Sequence, residues 1–157
     1  VSDRLGLDDP AHLANLISGE SNFNPGIKNP KAGSTATGLI QFVESTAKGL
    51  GTTTAELKQM TAVDQMKYVE AYLKGHLDRK NIKNPTFDDI LAATFWPRAL
   101  GKGRDYVLFQ DQDPEERAKT VAANDGIETF GDYMRIIGKH HLMTLKDRPK
   151  TEPTPET

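Results

Sequence analysis

The sequence predicts one compact, mainly α-helical domain with at most a small β element. Helix-start signals recur along the chain, either a Thr followed three residues later by Asp or an Asp followed directly by Pro. Behind most of these starts, apolar residues recur at the spacing of a helix face, whereas only one short apolar run offers an extended element. With 157 residues, 36% of them hydrophobic, the chain is long enough to bury a core as a single domain.

The first helix is predicted to begin at Asp9 as N-cap, with Pro10 in the first helical position. Residues 1–8 before it are predicted to be a short leader. Four residues of this helix share one face through their i, i+3, i+4, i+7 spacing: Leu13, Leu16, Ile17 and Glu20. Gly19 and the Asn and Pro that follow are predicted to end the helix, so a glutamate stands beside the core at its last turn.

A loop and two short helices are predicted next. Residues 21–38 are rich in turn formers, and residues 38–42, which read Gly-Leu-Ile-Gln-Phe, are interpreted as a small extended element that closes the loop. Residues 45–50 are predicted to form a short helix that Gly51 stops. Thr53 or Thr54 then caps a second short helix that runs through Met60.

Four further helices are predicted from their starts, which are Thr61-x-x-Asp64, Thr86-x-x-Asp89, Asp113-Pro114 and Thr129-x-x-Asp132. The first runs to about Leu77, Pro97 stops the second, and the third runs to about Ala123. The predicted core side of the first consists of Val63, Met66, Val69 or Glu70, and Leu73. The last helix is predicted to turn four residues partly inward: Tyr133, Ile136, Ile137 and His140.

The composition excludes several classes of function. The net charge is −2 without any block of like charges, so the electrostatic footprint of a nucleic-acid-binding protein is missing. The absence of cysteine rules out disulfides and Cys-based zinc sites, and no 18-residue apolar run predicts a membrane span. His140 and His141 are adjacent, point in different directions on a helix and lack a partner at ligand spacing, so no metal site is predicted. We expect a monomeric domain without a cofactor.

The two ends of the chain carry predictions of their own. Because the chain starts at Val1 rather than Met, we expect a processed or excised piece of a longer protein. After residue 146 the composition shifts to Pro, Thr and Glu, which cannot bury enough apolar surface to fold. We therefore predict a domain over residues 1–146 and a disordered tail over residues 147–157.

Glu20 is the first candidate for catalysis. A carboxylate on the apolar side of a helix end is desolvated, and desolvation raises its pKa above the ordinary value of about 4.3. Such a group keeps a proton near neutral pH, as a general acid acting on a glycosidic oxygen must. Helix position alone favours the alternative, an exposed residue at a helix end, because acidic side chains are mostly solvated.

The residues that follow Glu20 shift this balance through a resemblance. It is carried by Glu20-Ser21-x-Phe23-x-Pro25, by Ala36-Thr37-Gly38-Leu39-Ile40-Gln41-Phe42 and by Ser45-Thr46-Ala47. These segments resemble the lytic transglycosylases of the goose-lysozyme-like superfamily, whose hallmark is an E-S pair, then G-L-M/I-Q, then an x-T-A helix start. The likeness covers roughly the first half of the chain. It points to phage-encoded, virion-associated members, in which A-T-G-L-I-Q-F and a following L-G-T-T-T-A-E-L recur.

The resemblance implies a lysozyme-like fold, α+β with a small or vestigial β element, and a peptidoglycan substrate. Glu20 would protonate the oxygen of the bond between N-acetylmuramic acid and N-acetylglucosamine. It would then remove the proton of the muramoyl C6 hydroxyl, whose intramolecular attack gives a 1,6-anhydro product. The implied setting is a phage particle, with other virion proteins as further partners, acting on the cell wall or in the periplasm.

The other matched positions acquire roles only through the resemblance. Ser21 would orient the acid, and Asn29 stands where the family often has a serine that contacts the substrate. Gln41 would hydrogen-bond a sugar, and Phe42 would line the wall. Without the resemblance, these positions are interpreted equally well as structural residues: turn residues, a polar strand residue at Gln41 and a core aromatic at Phe42.

The second half of the chain departs from the family pattern. Most members carry an A-Y-N-x-G segment whose tyrosine helps to position the glutamate, and the corresponding segment here reads I-L-A-A-T-F-W-P. The orienting hydroxyl is therefore expected from Tyr72, Tyr106 or Tyr133, or is absent. Phe95 and Trp96 would stack on sugar faces, although an aromatic pair before a proline more often packs in a core.

Two alternatives to a transglycosylase follow from the same residues. A hydrolase would use Glu20 together with a second carboxylate that activates water, and Glu44 and Asp89 are the candidates. A non-catalytic peptidoglycan-binding or virion structural module would keep the cleft without turnover, an alternative that the missing tyrosine supports. The basic segment Gly101-Lys102-Gly103-Arg104 lacks the context of a phosphate loop and is interpreted as a turn.

Overall fold

The computed structural model describes residues 1–30 and 32–136, and it confirms the predicted mainly helical fold. Its helices are α1 (Ser2–Leu5), α2 (Pro10–Ser21), α3 (Glu44–Gly49), α4 (Thr54–Gln59), α5 (Ala62–Arg79), α6 (Phe87–Phe95) and α7 (Pro114–Ala123), with a 3-10 turn at Pro97–Ala99. A last helical stretch, α8, covers residues 130–136 and reaches the end of the described residues. The predictions for Ile137, His140, His141 and the tail over 147–157 lie outside the described residues.

The core lies where α6 packs against both α2 and α5. All four residues from Ile90 to Ala93 in α6 are buried, as are Leu13, Leu16 and Ile17 on the predicted face of α2. The helix that carries Glu20 is thus fixed on one side by the buried apolar segment of α6. This packing sets the orientation of the last turn of α2.

The predicted helix starts are confirmed by their capping bonds. Asp9 accepts a hydrogen bond from the Ala11 amide (2.9 Å), with Pro10 in the first helical position. The side-chain oxygens of four threonines accept from the amide three residues further on: Thr53, Thr61, Thr86 and Thr129. Each bond satisfies a backbone donor that has no partner within its own helix.

The first eight residues are not a leader, contrary to the prediction. They form α1 and bury Leu5 and Leu7 in the core. The Arg4 guanidinium pairs with the Glu70 carboxylate on α5, which anchors α1 across that helix. Gly6 turns the chain with a φ of 81°, and a Cβ at this position would overlap the backbone carbonyl of Lys83.

Helix α2 ends later than predicted. Gly19 lies inside it, and the helix continues to Ser21 until Asn22 adopts a left-handed conformation with a φ of 51°. The amide of Asn22 donates to the Ser18 carbonyl (3.0 Å) and closes the last turn. Glu20 therefore keeps helical geometry and the register that places it beside Leu16 and Ile17.

The predicted extended element at residues 38–42 is a tight turn instead of a strand. Gly38 has a φ of 90° and Gln41 a φ of 57°, and the Gln41 amide donates to the Gly38 carbonyl (3.2 Å). Left-handed residues reverse the chain and cannot extend a ladder. Isolated antiparallel bridges, Lys28 with Thr37 and Thr37 with Phe42, hold the ends of this turn.

Helix α5 buries Val69 and Leu73 as predicted, and Met66 packs partly buried against the core, but the prediction for Val63 is wrong. Val63 is 75% exposed, whereas Gln65 is completely buried in line with Val69, Leu73 and Leu77. These four residues are spaced by four, so they form one stripe along the helix. Although α5 is the longest described helix, neither it nor another helix of the described residues combines the length and apolar character needed to cross a membrane.

The described part of α8 differs from the prediction in one residue. Ile136 is 37% exposed, whereas Tyr133 is half-buried as predicted and Met134 is buried. Met134 and Ile136 are two positions apart, so a helix turns them to different sides. The side of α8 that carries Tyr133 and Phe130 faces the aromatic residues at the end of α6.

Candidate active site

Glu20 is a half-buried carboxyl group in the last turn of α2. Leu16 and Ile17, one turn earlier on the same face, are fully or almost fully buried, so the side chain emerges from an apolar surface. Burial raises the pKa of Glu20 from its ordinary value of 4.5 to about 7. The cause is the loss of water around the ionised form, which a neutral carboxyl group does not need. Glu20 can therefore both hold and release a proton near neutral pH.

Tyr133, on α8, is close enough to Glu20 for the two groups to interact electrostatically. Burial raises the pKa of the Tyr133 phenol well above its usual range, and the charge of Glu20 raises it further. The phenol consequently stays protonated at every physiological pH, so it is a hydrogen-bond donor beside the carboxyl group. Of the three tyrosines that the sequence offered as the orienting hydroxyl, Tyr133 is the one that interacts with Glu20.

The other two candidate tyrosines have different surroundings. The Tyr72 hydroxyl donates to the Ala93 carbonyl of α6 (2.6 Å), and its ring stands edge-on to Phe42 at 6.0 Å. Tyr106 lines a separate cavity beside Trp96. Tyr72 thus holds α5 to α6, whereas Tyr106 contributes to a wall.

Phe95 and Trp96, predicted to bind substrate, lie against Tyr133. The Tyr133 ring is edge-on to Phe95 at 5.7 Å and to Trp96 at 6.0 Å, with Phe130 stacked at 6.5 Å on its own helix. Both residues at the end of α6 are half-buried, so each combines packing with partial exposure. Edge-on aromatic contacts fix ring orientation, which keeps the phenol of Tyr133 in place.

Three predicted site residues at the end of α2 and in the loop that follows differ in their burial. Ser21 is buried and its hydroxyl donates to the Ile17 carbonyl (3.1 Å), which leaves the hydroxyl oxygen as an acceptor. Asn29 is half-buried, and its backbone N–H donates to the Ala36 carbonyl (2.9 Å). Phe42 is 3% exposed and belongs to the core, so it anchors the end of the loop in the core.

Gln41 is half-buried at the tip of the turn. Its Nε2 donates to the carbonyls of Gly38 (3.0 Å) and Ile27 (3.3 Å). It lines a small cavity of about 90 Å³ together with Phe42, Tyr72 and Thr94. The side-chain nitrogen of Gln41 thus braces the loop, and its side-chain oxygen is a hydrogen-bond acceptor.

The carboxylates proposed as partners for Glu20 both serve as caps. Glu44 accepts from the Thr54 amide (2.9 Å) and from the Thr54 hydroxyl, and these bonds lower its pKa. Asp89 accepts from the Thr86 amide (2.8 Å) and hydroxyl (3.0 Å) and completes the capping box of α6. In each case the bonds go to one carboxylate oxygen, Oε2 of Glu44 and Oδ2 of Asp89, and tie that oxygen to the start of a helix.

Two structural residues around the site were missed from the sequence. Gln65 holds the loop that follows α2, and Phe109 packs edge-on against Trp96 at 5.4 Å. A signal for Gln65 existed, since it stands four residues before Val69 in the buried stripe of α5. Phe109 lies in an irregular segment without periodicity, and no pattern indicates its position.

The raised pKa of Glu20 predicts a pH-dependent stability. The pKa is about 7 in the folded state and 4.5 ordinarily, so both states are protonated below about pH 4.5 and both are ionised well above pH 7. Folding is therefore progressively destabilised between these values, by at most about 3 kcal/mol. We expect Glu20→Gln to raise the free energy of unfolding at about pH 8 by up to that amount and to change it little at about pH 4.5.

Urea unfolding of both proteins at the two pH values measures this effect. The exposed Glu128 provides a matched control, and Glu128→Gln should leave the stability difference between the two pH values unchanged. If Glu20→Gln stabilised the protein equally at both values, the burial of an ionisable Glu20 would be refuted.

Comparison with known proteins adds an independent finding. The family model of the transglycosylase SLT domain matches residues 6–81. This segment contains Glu20, the loop through Phe42 and α3 to α5, and it ends before α6 and α8. Searches of curated proteins and of solved structures gave no significant match. Within the described residues, no group of acidic and histidine side chains could hold a metal ion.

Proposed function

We propose that this chain, whose residues 6–81 match the family model of the transglycosylase SLT domain, cleaves the β-1,4 bond between N-acetylmuramic acid and N-acetylglucosamine in peptidoglycan. The family indicates a peptidoglycan-cleaving transglycosylase in general. The observation that carries the finer proposal is the burial of Glu20, which raises its pKa to about 7. One residue with that pKa can act as acid and then as base without a second carboxylate.

In the first step, the Glu20 carboxyl group donates its proton to the glycosidic oxygen. The bond between that oxygen and C1 of the muramoyl residue breaks, and the N-acetylglucosamine part leaves with a hydroxyl group. The apolar surface around Glu20 favours the neutral acid before this step. Proton donation by a positioned carboxyl group lowers the barrier to departure of a poor leaving group.

In the second step, the Glu20 carboxylate accepts the proton of the C6 hydroxyl of the same muramoyl residue. The C6 oxygen then bonds to C1 and closes a 1,6-anhydro ring, and Glu20 is again protonated. No water is consumed. The capping roles of Glu44 and Asp89 support this route over hydrolysis, because one oxygen of each carboxylate is held at a helix start.

We assign the orienting role to Tyr133. Its protonated phenol beside Glu20 would donate a hydrogen bond to the carboxylate formed after the first step. Such a bond stabilises the ionised form at the moment when the acid has become a base. Phe95 and Trp96 would keep the phenol in this position while their exposed edges face the sugar.

Tyr133→Phe should lower kcat about 10- to 100-fold with little change in KM, because a charge-assisted hydrogen bond to Glu20 is lost. The loss should also raise the pKa of Glu20, so the pH profile of kcat moves to higher pH. Tyr68→Phe on α5 is the control, since the Tyr68 ring makes a cation–π contact with the Lys67 ammonium, which lies 5.0 Å from its centroid. An unchanged kcat and pH profile in Tyr133→Phe would remove Tyr133 from the mechanism.

The products of digestion test the proposed function. Purified peptidoglycan is incubated with the protein, and the muropeptides are analysed by mass spectrometry. Anhydromuramoyl ends support the proposal, whereas reducing ends would support a hydrolase. Retained binding to the cell wall without any cleavage would instead support a non-catalytic module.

The association with a phage particle stays a prediction. It rests on the likeness of residues 36–42 and 50–57 to virion-associated transglycosylases. A protein of this kind would act on the cell wall or in the periplasm of the host, with other virion proteins as partners. Mass spectrometry of purified virions would detect the chain if this setting is right, and its absence from them would refute it.

A further inference from the structure

A cavity of about 340 Å³ opens beside Trp96 and has no assigned role. Its walls come from the end of α6, the 3-10 turn and the segment 106–111. Trp96, Tyr106 and Phe109 form its aromatic side. Phe109 has a φ of 60°, which a residue other than glycine rarely adopts, and this conformation places its ring edge-on to Trp96 at 5.4 Å. The size falls within the range of small-ligand pockets.

The cavity is connected to the catalytic centre through α8. Trp96 contacts Tyr133, and the charge of Glu20 raises the pKa of the Tyr133 phenol. The wall segment is also hydrogen-bonded to the start of α8, because the Phe130 amide donates to the Tyr106 carbonyl (2.8 Å) and the Leu108 amide donates to the Glu128 carbonyl (2.9 Å). A ligand in the cavity would therefore contact the Trp96 ring, which in turn contacts the Tyr133 ring.

Two opposite charges stand among the lining residues. The Arg98 guanidinium and the Asp111 carboxylate are 3.8 Å apart, and their side chains are 79% and 74% exposed. This separation is longer than a hydrogen bond, so each group retains donors or acceptors for a ligand. An exposed ion pair of this kind is weak, and a ligand that supplies better partners can replace it.

We infer that this cavity binds the peptide stem of the muramoyl residue on which Glu20 acts. The inference rests on the proposed function. In peptidoglycan the sugar backbone is largely uncharged, whereas a stem carries carboxylates and often the free amine of a diamino acid. Arg98 and Asp111 complement these two charges, and the aromatic wall covers the alkyl parts of the stem. The stem is attached to the same sugar whose C6 hydroxyl is deprotonated, so the bound stem and the reacting hydroxyl lie within one sugar residue of each other.

Rates on two substrates test the inference: glycan strands that carry stems, and strands from which an amidase has removed them. The kcat/KM of the wild type should be about tenfold higher on stem-bearing strands, because stripping removes the charge-assisted hydrogen bonds. Arg98→Ala and Asp111→Ala should each bring this ratio towards one. Lys119→Ala, in the exposed Lys119–Glu115 pair of α7, is the control and should keep the wild-type ratio.

A binding measurement makes the result independent of turnover. Glu20→Gln protein, titrated calorimetrically, should bind a disaccharide-peptide about tenfold more tightly than the disaccharide alone. Adding Arg98→Ala should remove that difference. Equal affinities for the two ligands would overturn the inference, and so would a ratio of rates that the Arg98 and Asp111 substitutions leave unchanged. The proposed function fails separately if the wild type cleaves neither kind of strand, whatever the affinities are.

Discussion

Glu20→Gln should lower kcat for peptidoglycan cleavage by about 10³-fold or more, because one side chain supplies both the acid and the base. Glutamine keeps the size of the side chain and the packing against Leu16 and Ile17 but can neither donate a carboxyl proton nor accept one. Binding to the cell wall should persist, since the remaining cleft is unchanged. The loss is measured as anhydromuropeptides released per unit time from purified peptidoglycan.

The pH dependence of the wild type gives this prediction a second test. Glu20 must be protonated before the first step, and its pKa is about 7. The rate should consequently fall as the pH rises through this value. Glu128→Gln, at an exposed position, should retain the wild-type rate and pH profile. Cleavage by Glu20→Gln at the wild-type rate would show that another residue is the acid.

The same substitution is expected to remove activity and to stabilise the fold. Burial of Glu20 destabilises the folded state at neutral and alkaline pH, and it also creates the raised pKa on which the acid step depends. The inactive Glu20→Gln protein should therefore be the more stable one at about pH 8. A residue that only supported the fold would change stability in the opposite direction, so the two measurements together separate a catalytic role from a structural one.

The position of Glu20 could be predicted from sequence because it depends on local rules. Asp9 and Pro10 set the start of α2, and the spacing from Leu13 then fixes the face on which residue 20 lies. Even the wrong prediction for Gly19 as the end of the helix did not change that face. The helix ends where Asn22 adopts a left-handed conformation. Turn propensity does not predict whether Gly19 or Asn22 is the residue that adopts it.

The partners of Glu20 could not be chosen from sequence because they come from distant elements. Tyr133 was one of three candidates, and only the packing of α8 against Phe95 and Trp96 brings it to the end of α2. The same limit applies to α1, whose few residues carry no periodic pattern. Leu5 and Leu7 are buried through contacts with α2 and α5 that local sequence does not encode.

Gln65 shows which part of the core side of α5 a hydrophobic pattern misses. A glutamine counts as polar in any pattern, yet this one is completely buried and the described bonds of its side chain all go to other segments. Its Oε1 accepts from the Leu39 amide (2.9 Å), and its Nε2 donates to the carbonyls of Leu57 (2.8 Å) and Pro25 (2.6 Å). A Cβ on Gly38 would come within 2.5 Å of Oε1, so the glycine allows this approach.

Gln65→Leu should lower the free energy of unfolding by about 3–5 kcal/mol, because it removes the described partner of the Leu39 amide and of the Pro25 carbonyl and one of the two donors to the Leu57 carbonyl. The leucine fits a core position in volume, so the loss would come from the unsatisfied backbone groups. The loop that carries Gln41 should also loosen, which lowers kcat/KM. Urea unfolding measures the first effect, and hydrogen exchange at the Leu39 amide measures the second.

Two further variants decide whether the bonds or the volume matter. Gln65→Glu keeps the shape and an acceptor for Leu39 but cannot donate to Pro25 and Leu57, so it should be destabilised as well. Gln59→Leu makes the same change at an exposed position of α4 and should stay within about 0.5 kcal/mol of the wild type. If Gln65→Leu were equally neutral, the bridges at Thr37 and the Gln41 bonds would hold the loop without Gln65, and Gln65 would have no part in shaping the site.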